Sequence, residues 1–343
     1  MNKLWWFVTA VCFLVGGMIV YENNVRVVQP PQPPPIERKI DKVLPPKAQL
    51  PQITNRTPGH LAYKDIILQL DKWQKEAPDF VDRGVYGQSA KNQPLHYIRI
   101  TNKTIVAPKK VVLITACIHG NEPLASSTVM AFIGNMLADY ESKADVKNLL
   151  DNRDIYFIPV VSPDSFPSSR FVDGVDPNRN FPTLKNPNLK SSASVQGLRE
   201  LVLKIKPNAV ISGHTWGRVF LFPYGDDMKN CPDYDSYKAL TSKMGQMSGY
   251  RHMRACDMYG GNGGLNNPPP KNVHDHGHDF SMIPIYGSEV DWYYRQGAFA
   301  IVMEMGTHQR VPSMEDTRVE FEMTYRAVLT FINEAPMVEL KLR

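Results

Sequence analysis

The chain has 343 residues, 43% of them hydrophobic, enough for one large domain or two small ones with a real core. Its formal net charge of +5 is mild, and no Lys/Arg block carries interleaved aromatic residues, so nucleic acid has little support as a partner. Leu4 to Tyr21, LWWFVTAVCFLVGGMIVY, is an uncharged apolar run of 18 residues behind Lys3, the length of a membrane span. No A-x-A cleavage site follows it, so residues 1–24 read as an uncleaved N-terminal anchor, with Trp5, Trp6 and Tyr21 near the two interfaces. Arg26, Arg38 and Lys39 beyond the run outnumber Lys3, so charge does not settle its orientation. The expectation is a membrane-anchored chain whose bulk lies outside the cytoplasm, in a periplasm or at a cell surface.

Residues 25–53 read as a linker: eight prolines between Gln29 and Gln52 favour an extended, semi-rigid polyproline spacer. The folded domain is expected over 54–343. Ile66, Ile67, Leu70 and Trp73 recur at helical spacing within Ala62 to Glu76. Val85 to Ser89 reads as a turn and Leu95 to Ile100 as a short strand. Val111 to Ile118 is a β-branched, apolar run that stops at His119-Gly120-Asn121-Glu122, and Pro123 then opens a helical pattern. Asp154 to Val161 is a second apolar strand, Leu198 to Ile205 a helix and Ala209 to Ser212 a strand ending at Gly213-His214. Tyr234 to Ser248 reads as a helix and Gly260 to Asp279 as an irregular loop. Ala298 to Met303 is a last strand, ending in Glu304, and Glu315 to Glu334 is a closing helix. Strands alternating with helices predict a single α/β domain with a mixed, mostly parallel twisted sheet and helices on both faces. Cys231 and Cys256 lie in one irregular region and could pair in an oxidising compartment.

Three strands thus deliver polar residues where their apolar runs stop: His119 with Glu122, His214, and Glu304. Open α/β sheets place ligands at such strand ends. A charged group there without a partner would cost several kcal/mol or so. Two imidazoles and a carboxylate form a three-ligand set that leaves a fourth tetrahedral position open, the arrangement of catalytic rather than structural zinc. H-x-x-E alone is also what a capped helix beside a solvated histidine looks like, and a strand-end histidine is often structural.

HGNEP, SPDSF, DPNRNFP, SGHTWGRVFLFPYG, YGSEVDWYYRQG and VMEMGTH succeed one another from Thr115 to His308. In this order they resemble the zinc metallocarboxypeptidase family, the group that includes the digestive carboxypeptidases. The resemblance implies a zinc carboxypeptidase fold and a peptidase acting on peptides with a free C-terminal carboxylate. His119, Glu122 and His214 would hold one Zn²⁺, and Glu304 would take the proton of the attacking water and pass it to the leaving amine. Asn178 and Arg179 would hold the terminal carboxylate, for which a guanidinium fork is suited, and Arg170 would steady the oxyanion. Tyr286 matches the family's mobile tyrosine, although the segment to Asp291 is short and Tyr259 could take its place. Val290 falls where side-chain preference is set, and an apolar residue there disfavours a strictly basic C-terminal residue.

The rival within the family is an N-acyl amino acid deacylase of the aspartoacylase and succinylglutamate-desuccinylase branch, against which FPYG and DWYY weigh. A catalytically inactive peptide-binding relative is the rival from another class, although all four metal and general-base positions are filled. His274 to Asp279, HDHGHD, reads as a second metal loop or a solvated lip. An anchored domain facing a cell envelope would meet cell-wall stem peptides, which makes them the expected natural substrate class.

Overall fold

A computed structural model describes residues 61–259, 284–308 and 311–336, all within one compact unit. The expected anchor and linker, and the His274–Asp279 loop, lie outside the described residues. No helix among the described residues is long and apolar enough to cross a membrane.

The chain opens with α1 (Tyr63–Glu76), followed by β1 (Val81–Gln88), β2 (Pro94–Ile100) and β3 (Lys110–Ala116). Next come α2 (Pro123–Asp139), α3 (Ala144–Asn152), β4 (Arg153–Ile158), α4 (Ala193–Ile205), β5 (Ala209–Thr215) and β6 (Val219–Phe222). The order closes with α5 (Tyr234–Ser248), β7 (Arg251–Arg254), α6 (Ala255–Tyr259), α7 (Glu289–Arg295), β8 (Phe299–Met305) and α8 (Met314–Glu334). The eight strands form one sheet in the order β1-β2-β4-β3-β5-β8-β6-β7. Its centre, β4-β3-β5-β8, is parallel throughout, and antiparallel pairings lie at β1/β2, β2/β4 and β6/β8.

Both faces of the central strands are covered, as their apolar runs require. Successive strand residues point to opposite faces. Val112 and Ile114 of β3 join a core with Val129, Phe132 and Met136 of α2 and Phe331 of α8. Leu113, between them, joins the other core with Leu198 of α4 and Trp292 of α7. Each fully buried aliphatic side chain of this kind contributes roughly 1.5–3 kcal/mol of burial. The closing helix starts in a capping box: the Ser313 hydroxyl accepts from Asp316 N at 3.1 Å, and the Asp316 carboxylate accepts from Ser313 N at 2.7 Å.

Two features depart from the sequence expectations. Val85 to Ser89 is not a turn, because Val81 to Gln88 pairs antiparallel with β2 across a register shift between Val85 and Gly87. It is an edge strand, and its partly exposed residues give no apolar alternation to read. Cys231 and Cys256 are free, buried thiols instead of a pair. The first sits in the larger core and the second at the start of α6, with its N–H donating to Tyr224 O at 3.1 Å.

Candidate metal centre and active site

The site grows from the C-terminal ends of β3, β5 and β8. At the end of β3 the chain turns sharply through Cys117, in the left-handed region at φ 51°, and delivers His119 ahead of α2. Gly120 is required there. A Cβ at this position would lie 2.4 Å from Ser165 O, so only glycine lets the two backbones approach. Glu122 stands at the N-cap position of α2 without a side-chain capping bond, and Pro123 occupies the first turn. Parallel pairing continues past the apolar runs of β5 and β8, placing His214 directly beside Glu304.

These four residues converge. The Glu122 carboxylate bridges the two imidazoles, with Oε1 2.8 Å from His119 Nδ1 and Oε2 2.9 Å from His214 Nδ1. One ligand atom from each of the three lies within 4.8 Å of the others, and all three residues are buried. Each imidazole is tethered at its far nitrogen. His119 Nε2 lies 3.0 Å from Asp176 Oδ1, and His214 Nε2 lies 2.7 Å from Glu289 Oε1. Neither Asp176 nor Glu289 was assigned a role from sequence. Asp176 lay inside DPNRNFP, whereas Glu289 looks like an ordinary acid in the first turn of α7.

The electrostatics call for positive charge at the centre of the cluster. Burial alone would raise the Glu122 carboxyl, but His214 and His119 outweigh it and hold it at about 2. Burial would lower both imidazoles. The Glu122 carboxylate, with Glu289 behind His214 and Asp176 behind His119, holds both above the ordinary histidine value instead. Two imidazole nitrogens and a carboxylate, oriented by outer carboxylates and facing one point, fit zinc. Glu304 behaves differently: burial raises its carboxyl to about 7, with His214 working against the rise and Glu122 adding to it. A carboxyl poised there suits proton transfer near neutral pH.

The other expected site residues divide. Arg170 reaches the cluster: its Nε and Nη2 donate to Asp176 Oδ2 at 3.0 and 2.8 Å, and its Nη1 is 4.0 Å from Glu122 Oε1. Asn178 also adjoins the cluster. Its Oδ1 accepts from Glu289 N at 2.8 Å, and its Nδ2 lies 3.5 Å from His214 Nε2. Arg179 is in the same 3-10 turn, Pro177–Arg179, where its Nη1 donates to Asn178 O at 2.6 Å. Gly287 fixes that turn from the other side, since its carbonyl accepts from Phe181 N at 3.1 Å.

Tyr286 is not brought to the cluster. It is 43% exposed, its hydroxyl accepts from Lys185 Nζ at 3.1 Å, and the same ammonium lies 4.5 Å from its ring centroid. For Tyr259 only the backbone is described. Val290 is 2% exposed and packs in the core that also holds Phe181 and Trp292. The neighbouring Asp291 accepts from Gly225 N at 3.0 Å and Asp226 N at 2.9 Å, which ties the FPYG and DW segments together.

Comparison with known proteins agrees with this geometry. Residues 66–326 match the family described as zinc carboxypeptidase. The chain is 22% identical over 215 residues to carboxypeptidase A2 of Rattus norvegicus, covering 53% of this chain and 51% of that one. It is 23% identical over 259 residues to a zinc carboxypeptidase of Saccharothrix mutabilis subsp. capreolus, covering 61% and 58%. The chain therefore spans little more than half the length of these curated relatives. Among solved structures, thrombin-activatable fibrinolysis inhibitor superposes with a TM-score of 0.68 at 18% identity, over 80% of this chain and 74% of that one. At that identity the likeness is one of fold.

Proposed function

This chain belongs to the zinc carboxypeptidase family, and from that premise we propose that it hydrolyses the C-terminal peptide bond of peptides with a free terminal carboxylate. The observation that carries the proposal is the convergence of His119 and His214, through their Nδ1 atoms, on the Glu122 carboxylate, with Glu304 on the adjoining strand. His119, Glu122 and His214 would hold the metal. A zinc ion held there would supply Lewis acidity for the scissile carbonyl and for the attacking water near neutral pH.

The remaining steps fall to side chains of this chain. Glu304 takes the proton of the attacking water and returns it to the leaving amine nitrogen. Arg170, beside Glu122 and held by Asp176, supplies positive charge where the carbonyl oxygen becomes anionic. Arg179 releases the Asn178 carbonyl and offers its guanidinium fork to the substrate carboxylate, and the Asn178 amide nitrogen donates beside it. Tyr286, held away from the cluster by Lys185, would cover the substrate once that contact breaks. Val290, buried at the position where relatives set side-chain preference, favours aliphatic or small C-terminal residues on that likeness alone.

The apolar run at residues 4–21 and the proline-rich stretch after it support a membrane-tethered domain, and a tether facing out of the cytoplasm would bring it to cell-wall stem peptides as substrates. Digesting a peptide library with the zinc-loaded full chain tests the activity, with C-terminally amidated copies as controls. Loss of single C-terminal residues from the free peptides alone is expected. Preferential turnover of N-acyl amino acids would overturn the proposal in favour of the deacylase branch. Incubation with purified muropeptides tests the substrate class, and no mass loss would count against it.

A further inference from the structure

Glu289 is a fully buried carboxylate that the proposed hydrolysis does not use. Its Oε1 is 2.7 Å from His214 Nε2, and its Oε2 accepts from the Tyr293 hydroxyl at 3.2 Å. Its backbone N–H donates to Asn178 Oδ1 at 2.8 Å. The residue is therefore fixed at its backbone by Asn178 and at its side chain by Tyr293, and its remaining oxygen faces a histidine. The His119 side mirrors this, since Asp176 takes His119 Nε2 with Oδ1 while Arg170 and the Asn178 N–H hold the carboxylate from outside. In both cases Nδ1 faces Glu122 and Nε2 faces an acid.

We propose that Glu289 is the positioning residue for His214, and that it fixes the ring and its Nε2–H tautomer so that Nδ1 presents its lone pair to zinc. This rests on the proposed metal site and extends it: the chain carries two carboxylate–histidine–zinc relays, one from the Asp176 turn and one from α7. The physical need is specific. An imidazole has two candidate ligand nitrogens, and only a partner that accepts from Nε2 commits the other to the metal. An anionic acceptor also makes that nitrogen more basic than a neutral one would. Tyr293 and Asn178 are then supports for Glu289, which links the metal site to the turn that bears Arg179.

The test is zinc affinity of the full chain, measured by competition with a chelating indicator, a readout independent of turnover. Glu289→Gln keeps the volume and one accepting oxygen but loses the charge, whereas Glu289→Leu loses both. Zinc binding is expected to weaken by roughly tenfold in Glu289→Gln and by up to about a hundredfold in Glu289→Leu. Asp176→Asn is expected to match Glu289→Gln. The visible spectrum of the cobalt-substituted Glu289→Gln chain should differ from wild type, which a purely structural loss of packing would not produce. Wild-type zinc affinity and an unchanged cobalt spectrum in Glu289→Gln would overturn the inference, and that variant decides alone if Glu289→Leu does not fold. A wild-type chain that binds no zinc would instead overturn the metal site itself.

Discussion

Gly287→Ala puts a single methyl group against the turn proposed to hold the substrate. Gly287 sits at φ +76°, and a Cβ there would lie 2.6 Å from Arg179 O and 2.8 Å from Arg179 C. Neither atom belongs to a flexible side chain that can swing aside. The left-handed backbone costs an L-residue roughly 1–2 kcal/mol, and forcing an extra methyl into packed surroundings costs roughly 1–3 kcal/mol. Together these give about 2–5 kcal/mol of destabilisation. At roughly 2–4 °C per kcal/mol for domains slightly smaller than this one, the melting temperature should fall by roughly 4–20 °C. The methyl can be accommodated only by moving the Pro177–Arg179 turn or the chain at 287, so KM for peptide should rise more than kcat falls, with zinc content unchanged. Calorimetry, steady-state kinetics and metal analysis on one preparation read all three. An unchanged melting temperature would refute the packing argument. A lowered melting temperature with unchanged KM would refute Arg179 as the carboxylate clamp.

Glu304→Gln should retain zinc and lose roughly 10²–10⁴ in kcat, the range for a lost general base. The wild-type rate should rise with pH as Glu304 ionises, with a midpoint below the value of about 7 that burial produces without a cation, since added positive charge favours the carboxylate. A variant with wild-type turnover, or a rate that falls over that range, would contradict its role. Arg179→Lys replaces a fork by a point charge and should raise KM for free-carboxylate peptides roughly tenfold with zinc content unchanged; a wild-type KM would argue against it. Burial pushes the Cys231 thiol up to about 11, and burial with Asp257 pushes Cys256 to about 12, so both should resist thiol reagents until the chain unfolds. Mass spectrometry showing a Cys231–Cys256 disulfide would contradict the free thiols.

The central strands and their terminal residues were legible because local chemistry and global placement agree there. β3 is an unbroken apolar run, Pro123 suits only the start of a helix, and His119 and Glu122 occupy the few residues between. His214 and Glu304 were legible as polar residues ending apolar runs, although pairing carries both strands past those points. β6 and β7 leave no clear signal in the sequence because each is four residues long and exists by pairing with its neighbour. α7 was hidden as well, since seven residues reading EVDWYYR show no apolar stripe when six of them are buried. Of the outer carboxylates, Asp176 at least lay inside the DPNRNFP motif, whereas Glu289 carried no signal in the sequence. Glu289 lies 75 positions from His214, and only the folded sheet brings α7 against the end of β5.

Zinc retained per chain after exhaustive dialysis, measured on wild type beside His214→Ala, bears most directly on the convergence of side chains from β3 and β5 on one cation. Wild type should keep about one zinc, the stoichiometry of a single catalytic site, and His214→Ala should lose nearly all of it. A wild-type chain without zinc, or a variant that keeps its full complement, would contradict the site as described.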